Sequence, residues 1–186
     1  MKTCRSTLFL LALLGFSPLA SAVWVVDRTA PYRVDGPIDI ELRLGAFLYL
    51  QIGSTGSTVD TVGFDLTNEN VGDGVPIDAI TPDITVIVRS NHGAITLGAL
   101  SDGTQGLVND TGGSLSYSQI LTTTSNPGLP APTLVDGTSG TVNIVANQFN
   151  GFVTEQRALW KYQLANSVIA PAGTYGGGVT YTASTP

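Results

Sequence analysis

"ITVIVRSNHGAITLGAL", residues 84 to 100, sets two apolar runs on either side of a three-residue turn. Ile84, Val86 and Val88 face one way, the period-two spacing that gives a strand one buried face. Asn91, His92 and Gly93 between the runs are a tight-turn signal, because short polar residues and glycine accept the positive φ that such turns demand. The stretch predicts a β-hairpin, and a hairpin is antiparallel.

Working outward, the same logic predicts more strands. "IDIELRL" (38–44) alternates Ile38, Ile40, Leu42 and Leu44 with Asp39, Glu41 and Arg43, as a strand with one face in a core would. "AFLYLQI" (46–52) follows Gly45 and is apolar nearly throughout, which fits a strand continuing past a glycine bend into a region covered on both sides. "TVDTVGFDL" (58–66) places Val62, Phe64 and Leu66 on one side. Residues 67–83 hold Gly, Asn, Asp and two prolines and read as a loop. "LSYSQIL" from Leu115 alternates weakly, and the proline-rich stretch 122–140 reads as loop. "TVNIVAN" (141–147) and "RALWKYQL" (157–164) are further strands, the second lining up Ala158, Trp160, Tyr162 and Leu164. Near the end, Val179, Tyr181 and Ala183 alternate with Thr180, Thr182 and Ser184. Nine or ten strands, with no helical period longer than two turns beyond the N-terminal segment, predict an all-β, antiparallel sandwich in one domain over 38–186.

Residues 1–22 carry Lys2 and Arg5, then an apolar run from Leu8 to Phe16, then Ala20-Ser21-Ala22. That is the layout of a secretory signal peptide, and the run is well short of the roughly 20 residues a membrane span needs. Cleavage after Ala22 leaves 164 of the 186 residues. Loss of Lys2 and Arg5 moves the formal charge from −6 to −8. Phosphate binding needs a cationic surplus, so nucleic acid is not an expected partner. The only cysteine, Cys4, leaves with the signal, which removes disulfides, thiol catalysis and zinc fingers from consideration. The expected location is secreted, whether extracellular, cell-surface or periplasmic, with no membrane insertion after signal cleavage.

Three motifs invite chemistry, and each has a plainer reading. Asp110-Thr111-Gly112 matches the loop that supplies one carboxylate of an aspartic-protease pair, yet a second such loop is missing and a polar turn accounts for it. His92, the sole histidine, would have to anchor any Ser-His-Asp triad with Ser90 nearby, but no G-x-S-x-G elbow exists and His92 falls in the predicted turn. Glu69, Asp73, Asp78 and Asp83 offer oxygen ligands for calcium without the spacing of a calcium loop, so a solvated acidic loop is expected. Trp24, Trp160 and the tyrosines could stack on sugar rings, although the line-up of Trp160 with Tyr162 and Leu164 makes Trp160 a core residue. No catalytic, metal or cofactor residue is expected.

The ending "PAGTYGGGVTYTASTP" (171–186) raises a different possibility. Tyr175, two residues after Gly173 at the entry to a strand, has the local pattern of a tyrosine corner, in which the phenol bonds back to upstream backbone in an immunoglobulin-like sandwich. The last strand then lacks a neighbour. On "GTYGGGVTYTA", the glycine fourteenth from the end and the overall plan, the chain resembles secreted subunits of bacterial chaperone–usher pili and their spore-coat-U-like relatives. It departs from them in having no disulfide pair and in carrying Thr185 where an aromatic is usual. The resemblance implies an immunoglobulin-like fold whose closing strand is donated by the extended N-terminal segment of the next subunit. Residues 23–37, with Val23, Trp24, Val25 and Val26, are the candidate donor, toward other copies or pilus subunits or back into the groove of the same chain. The expectation is a secreted, noncatalytic structural or surface-assembly protein, pilin-like or fimbria-associated. The alternative is a secreted carbohydrate-binding module or adhesin.

Overall fold

The two arms of the expected hairpin become strands, but they do not pair with each other: they lie in different sheets, and the turn at Asn91-His92-Gly93 carries the chain from one sheet to the other. In this computed structural model, which describes residues 38–56 and 59–186 together with Val26, Arg28, Ala30, Arg33 and Gly36, the two arms are strands Ile84–Ser90 and Ile95–Ser101. The signal segment 1–22, Trp24 and most of the 23–37 segment lie outside the described residues. The chain divides into two units, Met1–Arg43 and Leu44–Pro186, and all the strands among the described residues belong to the second.

In chain order the strands are β1 (Leu48–Ile52), β2 (Ile77–Asp78), β3 (Ile84–Ser90), β4 (Ile95–Ser101), β5 (Leu107–Val108), β6 (Ser114–Leu115), β7 (Ile120–Thr124), β8 (Ser139–Ile144), β9 (Thr154–Leu164) and β10 (Val179–Ser184). One sheet runs β1-β3-β9-β7, with the short β2 also on β9; a second runs β10-β4-β8; β5 and β6 form a small ribbon. Every pairing is antiparallel. The inner faces of the two larger sheets share one core, in which Val86 and Val88 from β3, Ile95 and Leu97 from β4, Ile144 from β8 and Ala158 and Trp160 from β9 are at most 2 % exposed. The fold is an all-β antiparallel sandwich. No described helix is long and apolar enough to cross a membrane.

Trp160 organises the centre. Its indole Nε1 donates to the Leu129 carbonyl at 3.2 Å, and its ring lies 5.5 Å from that of Tyr181 on β10, tilted by 52°. Tyr181 and Tyr162 share a hydrogen bond between hydroxyls 3.0 Å apart, so the polar tips that burial would strand satisfy each other across the sheets. Both phenols are pushed above their ordinary pKa, chiefly because burial disfavours the charged form.

Three further sequence expectations need correction. Residues 38–44 form no strand, and Ile38, Ile40, Leu42 and Leu44 are 77 to 90 % exposed rather than facing a core. Alternation makes a strand able to bury one face; it does not provide the neighbour that would do the burying. The 46–52 run is not covered on both sides, since it yields the edge strand β1, with Phe47, Leu48 and Tyr49 39 to 52 % exposed. Residues 59–66 pack Val62 and Phe64 against the core, but they form no ladder; among the described residues the bond from Ile80 N–H to the Gly63 carbonyl at 2.9 Å links their backbone to another segment.

Candidate functional site

The two long sides of the sandwich differ. Between β7 and β8 the chain fills its own gap. The proline-rich segment after β7 sends Leu129 and Leu134 inward, at 0 and 4 % exposed, and Thr124 Oγ1 donates to the Leu129 carbonyl at 3.0 Å. Its backbone lies so close to β8 that a Cβ on Gly140 would run into the Thr133 carbonyl, which is why a residue without a side chain sits there.

Between β10 and β1 no described strand intervenes and no ladder forms, although the two edge strands pack close to each other. The Asp102 N–H donates to the Gly178 carbonyl at 2.8 Å, which marks that pair as hydrogen-bonded and, by antiparallel alternation, turns Thr180, Thr182 and Ser184 toward β4. The N–H and C=O groups of Val179, Tyr181 and Ala183 therefore point to the open edge. At β1 the bond from Gly53 N–H to the Thr85 carbonyl, 2.7 Å, sets the same alternation and leaves Leu48, Leu50 and Ile52 pointing outward. Neither strand carries a charge, a proline or a bulge, the usual devices that stop an edge from pairing. The inward side chains of Val179, Tyr181 and Ala183 are half-buried, so the rim is apolar as well as unpaired.

The entry to β10 is held firmly. Tyr175 donates its hydroxyl proton to the Pro171 carbonyl at 2.7 Å, the backward bond expected of the "GTY" pattern. Gly176 exchanges two backbone bonds with Val108 at 2.9 and 3.0 Å. Tyr117, 2 % exposed, donates to the Gly178 carbonyl at 3.0 Å, and its hydroxyl occupies the space a Cβ on Gly177 would need. Burial, reinforced by the nearby Asp102 charge, raises the Tyr117 pKa. The glycine run thus lets the chain pass over a buried tyrosine and start β10 at a fixed register.

The other end of β1 is held by Asn91. Its Oδ1 accepts from Phe47 N–H and its Nδ2 donates to the Gly45 carbonyl, both at 2.8 Å, so one side-chain amide stands in for a backbone unit and extends β1 by two residues. Sequence reasoning saw Asn91 only as a turn residue. Nothing in the local sequence around Asn91 marks this link to residues more than forty positions earlier.

The residues singled out for chemistry do not converge. Asp110 is exposed in a turn organised by Asn109, whose Oδ1 accepts from Thr111 N–H at 3.2 Å and Gly113 N–H at 2.6 Å. His92 is exposed, and what Ser90 Oγ receives is its backbone N–H, at 3.0 Å. Within the stretch expected to be an acidic loop, Asp78 lies on the short strand β2 and bonds Lys161 and Gln163, both at 2.7 Å, and these bonds lower its pKa, the Lys161 one most. Asp73 accepts from Asn166 Nδ2 at 2.8 Å. Among the described residues no group of three or more His, Cys, Asp or Glu is arranged to hold a metal ion. Trp160 is fully buried and offers no face to a sugar.

Comparison with known proteins returns no matching family model, no similar curated protein and no similar solved structure.

Proposed function

We propose that this chain is a noncatalytic structural subunit, exported by its N-terminal segment, that assembles at or outside the cell surface by donating a strand to the open rim of another subunit. The observation that carries the reading is a pairing of opposites within one chain. β10 offers an unpaired, apolar edge, and residues 38–44 offer four exposed apolar side chains at strand spacing. Strand addition uses main-chain bonds for affinity and alternate side chains for fit. The sheet orders β1-β3-β9-β7 and β10-β4-β8 support an immunoglobulin-like relationship, with the neighbour of β10 as the place of the closing strand. The donor extends from the 23–37 segment into Ile38, Ile40, Leu42 and Leu44.

Burying those four side chains contributes about 1.5 to 3 kcal/mol each. Ordering the seven residues of 38–44 costs about 1 to 2 kcal/mol apiece and association itself costs about 4 to 15 kcal/mol, which edge hydrogen bonds of about 0.5 to 1.5 kcal/mol each and the docking of the two bodies must offset. Donation on these terms is reversible and concentration-dependent.

Sedimentation of the purified chain across a range of concentrations tests the reading, alongside a variant carrying Ile40→Asp and Leu42→Asp. Wild type is expected to form chains of subunits and the variant to stay monomeric with an unchanged melting curve, because both positions are exposed in the isolated chain. A wild type that is monomeric throughout, or a variant that assembles equally well, refutes the proposal.

A further inference from the structure

We infer that the exposed phenylalanines at the Asn91 end of the sandwich, Phe149 and Phe152 with Phe47 beside them, form a docking face for the subunit that accepts the strand, a second copy of this chain. The inference rests on the strand-donation reading and adds the surface where the two bodies meet.

Four observations place the surface. Leu48, Ser90 and Thr154 are aligned across β1, β3 and β9, so residues 45–47, 91–93 and 147–153 all emerge at one end of the sheet. Gly93 N–H donates to the Phe152 carbonyl at 2.9 Å and Thr154 Oγ1 to the Gly93 carbonyl at 2.7 Å, which ties the loop before β9 to the turn between β3 and β4. Asn91 ties residues 45–47 to the same turn. At this end Phe47 is 52 %, Val145 69 %, Phe149 74 % and Phe152 71 % exposed.

The backbone adds an independent sign. Phe149 and Asn150 hold φ of 48° and 56°, followed by Gly151 at 90°. The left-handed region is unfavourable for a bulky residue, and in the isolated chain a ring this exposed gains little packing that would offset it. The loop is held closed by the Gln148 to Val153 bridge, and the outcome of the strained path is an aromatic ring presented to solvent.

The tether selects the occupant. Only Gly45, Ala46 and Phe47 separate Leu44, the last apolar residue of the donor, from the start of β1. Fully extended, that link spans roughly 14 Å between the Cα atoms of Leu44 and Leu48. An acceptor holding Leu44 in its rim must therefore sit against the end of the donor's sandwich from which the link emerges, where these rings are. Large exposed apolar side chains gathered at one end of a sheet are the form such a contact takes before assembly. A formal charge of −8 once Lys2 and Arg5 are removed argues against an anionic lipid surface as the occupant.

The test uses the full chain with Phe149→Ser and Phe152→Ser, and a synthetic peptide of residues 36–47 as a free donor that lacks the rest of the subunit. The double variant is expected to bind the labelled peptide as wild type does, which also shows that it is folded, while its self-association weakens at least tenfold. Equal self-association of variant and wild type overturns the docking face and leaves strand donation standing. A wild-type chain that binds no peptide and does not self-associate overturns both. Phosphatidylglycerol vesicles bound by wild type but not by the variant, with self-association unchanged, would assign the rings to lipid and overturn the inference.

Discussion

Replacing Trp160 with phenylalanine removes the bond from Nε1–H to the Leu129 carbonyl and shrinks a ring that is 0 % exposed. Leu129 is itself fully buried; its carbonyl keeps only the Thr124 Oγ1 bond, a geometry built for two donors. Removing one partner of a buried polar group costs about 1 to 3 kcal/mol. The missing part of the indole adds a cavity, and the smaller ring loses part of its contact with Tyr181, which lies 5.5 Å away. Together these give an expected destabilisation of about 2 to 4 kcal/mol, a fall in Tm of roughly 6 to 14 °C for a domain of this size. Urea denaturation of the variant and wild type, followed by circular dichroism, measures it. The same change should speed hydrogen exchange at the Leu129 amide, because the segment that plugs the β7–β8 side loses its anchor. A loss under about 0.5 kcal/mol would refute the claim that Trp160 fastens that plug.

Two further outcomes follow from the buried polar groups. Tyr162 and Tyr181 are held above the ordinary phenol pKa, so their contribution is intact below pH about 10 and declines as pH rises from there toward the folded values, at about 1.4 kcal/mol per pH unit for each; Tyr181→Phe should flatten the alkaline limb of a stability-against-pH curve. Asn166, 3 % exposed, bonds the Asn70 carbonyl at 2.9 Å, Asp73 at 2.8 Å and Gly72 N–H at 2.8 Å, so Asn166→Ala should cost about 2 to 4 kcal/mol and expose residues 67–76 to proteases, measured by denaturation and limited digestion.

What the sequence revealed followed from how local the physics was. The strands and the turn within 84–101 were legible because alternation and turn signal are local, but their pairing was not: β3 pairs with β1 and β9 and β4 with β10 and β8, and a turn signal does not say whether the chain doubles back in one sheet or crosses to the other. The line of Ala158, Trp160, Tyr162 and Leu164 was legible because a strand between two neighbours buries one face whatever the details of the fold. Residues 38–44 have a cleaner alternation than either, yet they stay exposed, since a strand pattern says nothing about whether a partner is available. Leu129 was hidden for the opposite reason: a loop of Pro, Gly and Asn gives no local sign that one leucine plugs a core formed by distant strands. At the candidate site, the apolar ending and the pattern around Tyr175 pointed to the rim. The link from Asn91 to Gly45 and Phe47 could not be read, because it joins positions more than forty residues apart through a side chain.

Amide hydrogen exchange along β10 in dilute, monomeric protein tests the open rim most directly. Thr180 and Thr182 face β4 and should exchange slowly, whereas Val179, Tyr181 and Ala183 should exchange fast and become protected when the 36–47 peptide is added. Equal protection of all five amides in the peptide-free monomer would mean that β10 already has a second neighbour, and strand donation would have no place to occur.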